Sequence, residues 1–222
     1  MERKVNFVVG EHYHIFSRGT EKRKVFIDEK DYQRFQALLY ILNQDNTFHL
    51  SQFLKRGQKN ILEVYGLNRS KNLVNILAYS LMPNHFHILL EETVKGGISK
   101  FMGKLLTAHS MYFNTRYERS GSLFLHPFRS VHIKDDIHFK YLFSYIHLNC
   151  LDIVDMKWKL KGIDDKKTSD NFLRNYKYSS YPDFIESINQ RQEFNIINKS
   201  CEFLPYGALD IEDFELWHEG NP

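Results

Sequence analysis

The chain has 222 residues, 42% apolar and 15% aromatic with 18 Phe and 13 Tyr, enough to build one sizeable core. No apolar run approaches the roughly 20 residues that cross a bilayer, and the charged start Met1–Asn6 leads into no apolar signal segment, so membrane and secretory classes are set aside. The two cysteines, Cys150 and Cys201, make neither a disulfide framework nor a Cys-x-x-Cys pair, and the net charge is only +3; a reducing cytoplasm is expected.

Residues 11–19 alternate as a strand ended by Gly19. A basic loop, Lys22-Arg23-Lys24, follows, and Asp28 is placed to cap a helix whose first turn carries Glu29 and Asp31. Tyr32, Phe35, Leu38, Leu39 and Leu42 recur at helical spacing and predict one buried stripe. Residues 43–73 read as an insertion, with Ile61–Tyr65 a short strand. Pro83-Asn84 is turn chemistry between two apolar runs, so Val74–Met82 and His85–Glu92 are predicted to form a hairpin. Gly96-Gly97 breaks the chain and Ser99 can cap a second helix, with Ile98, Phe101, Met102, Leu105, Ala108, Tyr112 and Phe113 on its inner side. Residues 129–133 suggest a strand, and Asp135 or Asp136 can cap a helix over residues 136–149 that is apolar nearly all round and therefore buried.

The order strand, helix, strand, strand, helix, strand predicts an α+β fold: a ferredoxin-like βαββαβ antiparallel sheet with helices on one face, then one added helix. One domain is expected over residues 11–150. The 151–222 extension, Lys/Asp-rich with an apolar-aromatic patch at residues 176–185 and an acidic tail, is expected to pack on it. The further basic clusters Lys55-Arg56, Lys157/Lys159/Lys161 and Lys166-Lys167 fit either solvated loops or a weak nucleic-acid surface.

Strand alternation puts His85, His87, Leu89 and Glu91 on one face and Phe86, Ile88 and Leu90 on the other. Two imidazoles side by side can hold a divalent metal but lack a third ligand; such a pair on a strand is more often two ordinary polar side chains. In the helix at 136–149, Tyr145 and Asn149 stand four apart on one face. Asn149 offers an amide oxygen suited to Mg²⁺ or Mn²⁺ beside imidazoles, and Tyr145 a phenol. The alternatives at these positions are a helix C-cap and core packing. His147 falls on another face and reads as structural; His12, His14, His126 and His132 have no assigned role.

The stretch Tyr79–Leu90, read as Tyr-Ser-Leu-Met-Pro-Asn-His-Phe-His-Ile-Leu-Leu, resembles the His-hydrophobe-His signature of the single-tyrosine transposases of the IS200-like superfamily. Tyr145-Ile146-His147-Leu148-Asn149 is similar to the tyrosine helix of their REP-associated branch. Further pieces in family order are Tyr13-His14-Ile15 with Arg18-Gly19, Val25-Phe26, Tyr112-Phe113-Asn114 with Arg116-Tyr117, Gly121 to Phe124, and Tyr178-Ser179-Ser180-Tyr181. Two segments depart from the family's pattern. Asn149 is followed by Cys150-Leu151-Asp152 rather than Pro-Val and a basic residue, and His126-Pro127-Phe128-Arg129-Ser130 replaces a Gly-Arg-Tyr-Lys-Ser-like stretch.

The resemblance implies metal-dependent cleavage and rejoining of single-stranded or hairpin DNA through a 5′-phosphotyrosine on Tyr145, acting as monomer or homodimer. His85, His87 and Asn149 become the implied metal ligands, for Mg²⁺ or Mn²⁺, and Arg18, Arg23, Arg116, Arg119 and Arg129 the implied DNA contacts. Two other functions stay open: a hairpin-binding descendant that no longer cuts, and a metal-dependent hydrolase using the histidine pair with Tyr145 structural.

Overall fold

The computed structural model describes residues 6–57, 59–125, 127–185 and 191–198. His126, Cys201 and the acidic tail of the sequence reading lie outside them. Strands β1 (His12–Arg18), β2 (Val74–Met82), β3 (His85–Glu92) and β4 (Arg129–His132) form one four-stranded sheet in the order β2-β3-β1-β4, every neighbouring pair antiparallel. Helices α1 (Glu29–Ile41) and α3 (Gly97–Arg116) are the crossovers, which completes the βαββαβ plan. Both lie on one face: Phe35 and Leu38 of α1 and Phe101 and Leu105 of α3 are buried with Ile15, Phe86 and Ile88 of the sheet.

Helix α4 (Asp136–Leu148) takes the other face, where Phe139, Phe143 and Ile146 are buried against Leu77, Ala78, Met82 and Leu89. A register irregularity between Ile76 and Ala78 is what turns both Leu77 and Ala78 toward α4. Without that bulge strict alternation would send one of them into the opposite core. Trp158, Ile163, Leu173, Tyr181 and Ile185 are buried in the same layer, Trp158 on α5 (Trp158–Lys161) and Leu173 on α6 (Lys166–Asn175).

Three local expectations give way. Residues 61–65 belong to a 3-10 helix, Ile61–Gly66, rather than a strand, because Asn60 and Glu63 form a reciprocal capping box. Preceding it, α2 (Leu50–Lys55) is a short helix within the predicted insertion. Helix α3 begins at Gly97, not at a Ser99 cap. The Glu92 carboxylate accepts from the amides of Gly96 (2.7 Å) and Ile98 (3.0 Å) and so satisfies the helix start. Finally, α4 is buried on one side only, since Ile137 is 66% exposed. By contrast Asp28 caps α1 as expected, its side chain accepting from the amides of Lys30 and Asp31.

Candidate active site

Strand pairing performs the first part of the assembly. Arg18 stands opposite His85 and Phe16 opposite His87 in the β1–β3 ladder, and His14 is opposite Leu89, one diagonal step from His87. His14 Nε2 lies 2.8 Å from His87 Nδ1, with the two rings stacked at 5.0 Å. On the β2–β3 turn, Asn84 Oδ1 lies 2.6 Å from His85 Nδ1.

Helix α4 performs the second part. Its end is tied to the sheet by three buried polar contacts. His147 Nε2 lies 2.7 Å from Ser180 Oγ, Ser180 Oγ accepts from the Tyr79 amide at 2.9 Å, and Cys150 Sγ lies 3.0 Å from Ser80 Oγ. The Tyr178–Tyr181 stretch therefore serves as the clamp that seats this helix. So seated, the buried Asn149 places Oδ1 3.5 Å from His85 Nε2 and Nδ2 3.3 Å from His87 Nε2. The half-buried Tyr145 ring is centred 5.8 Å from that of His87 and 6.3 Å from that of His14. Lys159 of α5 sets its ammonium 5.3 Å from the centre of the Tyr145 ring while paired with Asp152 at 2.7 Å.

Burial depresses all three imidazoles: His85 below the usual value, His87 well below it, and His14 down to about 4. Neutral imidazole is the form that ligates metal. Among the described residues no three His, Cys, Asp or Glu side chains converge on a metal position; beside His85 and His87 the Asn149 amide oxygen is the further donor available. The donor chemistry fits a hard or borderline divalent ion. With His85 donating from Nδ1 to Asn84, its Nε2 lone pair faces the Asn149 carbonyl oxygen, and a cation between the two acceptors would satisfy both. Two imidazoles and one amide oxygen also leave coordination positions for substrate oxygens and water.

Beside the histidines opens a pocket of about 400 Å³ lined by Phe16, Arg18, Lys22, His85, His87 and Arg129 among others. Of the five arginines singled out from the sequence, Arg18 and Arg129 are at this pocket. Arg23 does not line it; it follows the short 3-10 helix Thr20–Lys22, hydrogen-bonded to the Thr20 carbonyl (3.0 Å) and paired with Glu21. Arg116 is not at the histidines; it is held by Asp28 and the fully buried Asp31 at the α1–α3 contact. Arg119 bonds Asn114 and the Ser122 carbonyl. Sequence reasoning missed His14, Lys22 and Lys159. Alternation shows that His14 shares a strand face with His12 and Phe16, but not that β1 lies beside β3.

An antiparallel sheet thus carries paired imidazoles on a central strand, and the helix laid over them brings Asn149 and the Tyr145 ring beside them. The family described as "Transposase IS200 like" matches residues 51–149, the span that holds His85, His87, Tyr145 and Asn149. Over those residues the chain is similar to the IS200-like transposases, and the match supports a transposase function. A structure of a REP-associated tyrosine transposase bound to a REP hairpin is similar to the chain with a TM-score of 0.47 at 9% identity, covering 83% of this chain and 84% of that one. A protein of Deinococcus radiodurans R1, provisionally described as a transposase, gives a TM-score of 0.34 at 16% identity, covering 68% and 98%. The curated proteins give no match.

Proposed function

We propose that the protein is a metal-dependent tyrosine transposase of the REP-associated type, which cleaves and rejoins single-stranded or hairpin DNA through a covalent link to Tyr145. The observation that carries the reading is the meeting of His85, His87 and Asn149 from two distant segments, with the Tyr145 ring beside them. Cleavage is a phosphoryl transfer: the Tyr145 oxygen attacks the scissile phosphorus and loses its proton. The bond from phosphorus to the 3′ oxygen breaks, and that oxygen takes up a proton. A 5′-phosphotyrosine and a free 3′-hydroxyl result. A second 3′-hydroxyl attacking the phosphotyrosine reverses the exchange and joins new DNA, so bond energy is conserved and no nucleotide triphosphate is consumed.

A free phenol with a pKa of about 10 is a poor nucleophile near neutrality, so it needs help. A divalent ion, Mg²⁺ or Mn²⁺, held by His85, His87 and Asn149 would polarise the phosphate oxygens and offset the charge that builds on phosphorus. Lys159, paired with Asp152, holds its ammonium 5.3 Å from the centre of the Tyr145 ring. Arg18, Lys22 and Arg129 surround the adjoining pocket, where flanking phosphates would lie; Phe16 offers a ring to an unstacked base. On this reading the protein acts in the cytoplasm, as monomer or homodimer.

The test is a labelled hairpin oligonucleotide incubated with Mn²⁺. An adduct that survives denaturation and disappears in Tyr145→Phe supports this reading. Binding with no adduct would leave a hairpin-binding protein, and cleavage that persists in Tyr145→Phe would leave a hydrolase built on the histidines.

A further inference from the structure

Each of the paired histidines has a second partner on the side away from Asn149. At His85 this partner is an amide oxygen, Asn84 Oδ1 at 2.6 Å, which has no proton to give. His85 therefore donates from Nδ1, and its Nε2 carries the lone pair. At His87 the partner is another imidazole, His14 Nε2 at 2.8 Å, and two proton arrangements satisfy the contacts. In the first, His87 donates from Nδ1 to His14, and the Asn149 amide donates to His87 Nε2 across 3.3 Å. In the second, every proton runs the other way: His14 donates to His87 Nδ1, and His87 presents Nε2–H to an Asn149 carboxamide turned over. Only the first leaves a lone pair at His87 Nε2.

We propose that His14 and Asn84 are positioning residues that preset His87 and His85 as Nδ1–H tautomers, so that both Nε2 lone pairs and the Asn149 oxygen converge on one divalent cation. The inference rests on the metal reading given above and adds what prepares the site for the ion. Both partners are held by backbone structure rather than by the histidines they serve. His14 is a paired residue of β1, 5% exposed, with Phe16 beside it. Asn84 is fixed in the turn by its carbonyl, which accepts from Gly19 at 2.8 Å, and by Pro83, whose carbonyl accepts from Val25 and Phe26. A ligand imidazole oriented through its second nitrogen is a stronger and better-aimed donor.

The full chain is used for the test. In the metal-free wild type, long-range ¹H–¹⁵N correlation of the histidine rings should show Nδ1–H tautomers at both His85 and His87; an Nε2–H at His87 overturns the proposal whether or not the protein binds metal. Calorimetric titration with Mn²⁺ follows. His14→Phe keeps a ring but removes the acceptor and should weaken binding about 10–100-fold, whereas His14→Gln restores an acceptor and should recover most of the loss. Asn84→Ala and Asn84→Asp form the matching pair at His85. Unchanged affinity in His14→Phe, or an equal loss in Phe and Gln, overturns the proposal and leaves the metal reading standing. A wild type with Nδ1–H tautomers that binds no Mn²⁺ removes the metal reading and the inference with it. Because the first measurement needs no variant, it decides even if His14→Phe fails to fold.

Discussion

Five arginines suggest themselves from the sequence as DNA contacts, and the structure divides them into groups that salt titration separates. Arg18, Lys22 and Arg129 line the pocket beside His85 and His87. Each phosphate contact on a single strand contributes about 0.7 to the fall of log affinity with log salt. Three such contacts amount to a slope of about 2, and to about an 18-fold loss of affinity between roughly 50 and 200 mM salt. Arg129→Ala should therefore lower the slope by about 0.7 and shrink that loss by about 2.6-fold. Arg116→Ala should leave the slope alone, because the guanidinium is spent on Asp28 and Asp31. Its effect falls on folding. Asp31 is fully buried and keeps hydrogen bonds from Tyr112, Tyr117 and the Ile27 amide, yet it loses its ion-pair partner. The low end of the range for breaking a buried pair, about 3 kcal/mol, is expected. For a chain of this size that is about a 6–12 °C drop in melting temperature. Fluorescence anisotropy on a labelled single strand, at a temperature where every variant is folded, reads the slopes. Should Arg116→Ala lower the slope as much as Arg129→Ala, the division drawn from the ion pairs is wrong.

Other expectations follow from single contacts. His85→Ala and His87→Ala should abolish DNA cleavage while sparing most of the DNA affinity, since phosphate contacts dominate binding; filter binding that falls in step with cleavage would refute this. His109 is buried, donating from Nε2 to the Val25 carbonyl over 2.9 Å, and burial pushes it down to about 4. Its stabilisation is whole above the unfolded value near 6.5 and drains away as pH falls toward 4, by about 2 kcal/mol at pH 5. Guanidinium unfolding at pH 7 and pH 5 should show this difference reduced in His109→Gln. At Gly97 an added Cβ would sit 2.1 Å from the Leu73 carbonyl oxygen, whereas at Gly103 it meets nothing within 4 Å. Gly97→Ala should thus cost about 1–3 kcal/mol and Gly103→Ala gain about 0.5–1 kcal/mol, as measured by chemical denaturation.

The elements that could be read from the chain are those whose signal is local. The Pro83-Asn84 turn and the alternation around it gave the limits of β2 and β3, and Asp28 with Asp31 marked the start of α1. Spacing also put Tyr145 and Asn149 on one face of α4. What escaped depends on distant segments. Glu92 displaces Ser99 as the cap of α3 because the chain turns back on itself between β3 and the helix. The bulge at Leu77 exists to satisfy two cores at once. His14 joins the site only through strand order, and Lys159 only through the return of the chain after residue 149.

The outer edge of β2 carries one more consequence. Ser180 donates its amide to Tyr79, Leu81 donates to Tyr178, and Asn198 donates to Ile76. An open rim of amides and carbonyls invites a second molecule to zip on. Here the chain's own later residues occupy it, so a pair of subunits could not join their sheets along β2 without first peeling those residues away. Peeling would also free Ser180 from His147, and the tyrosine helix would lose its anchor at the moment of assembly.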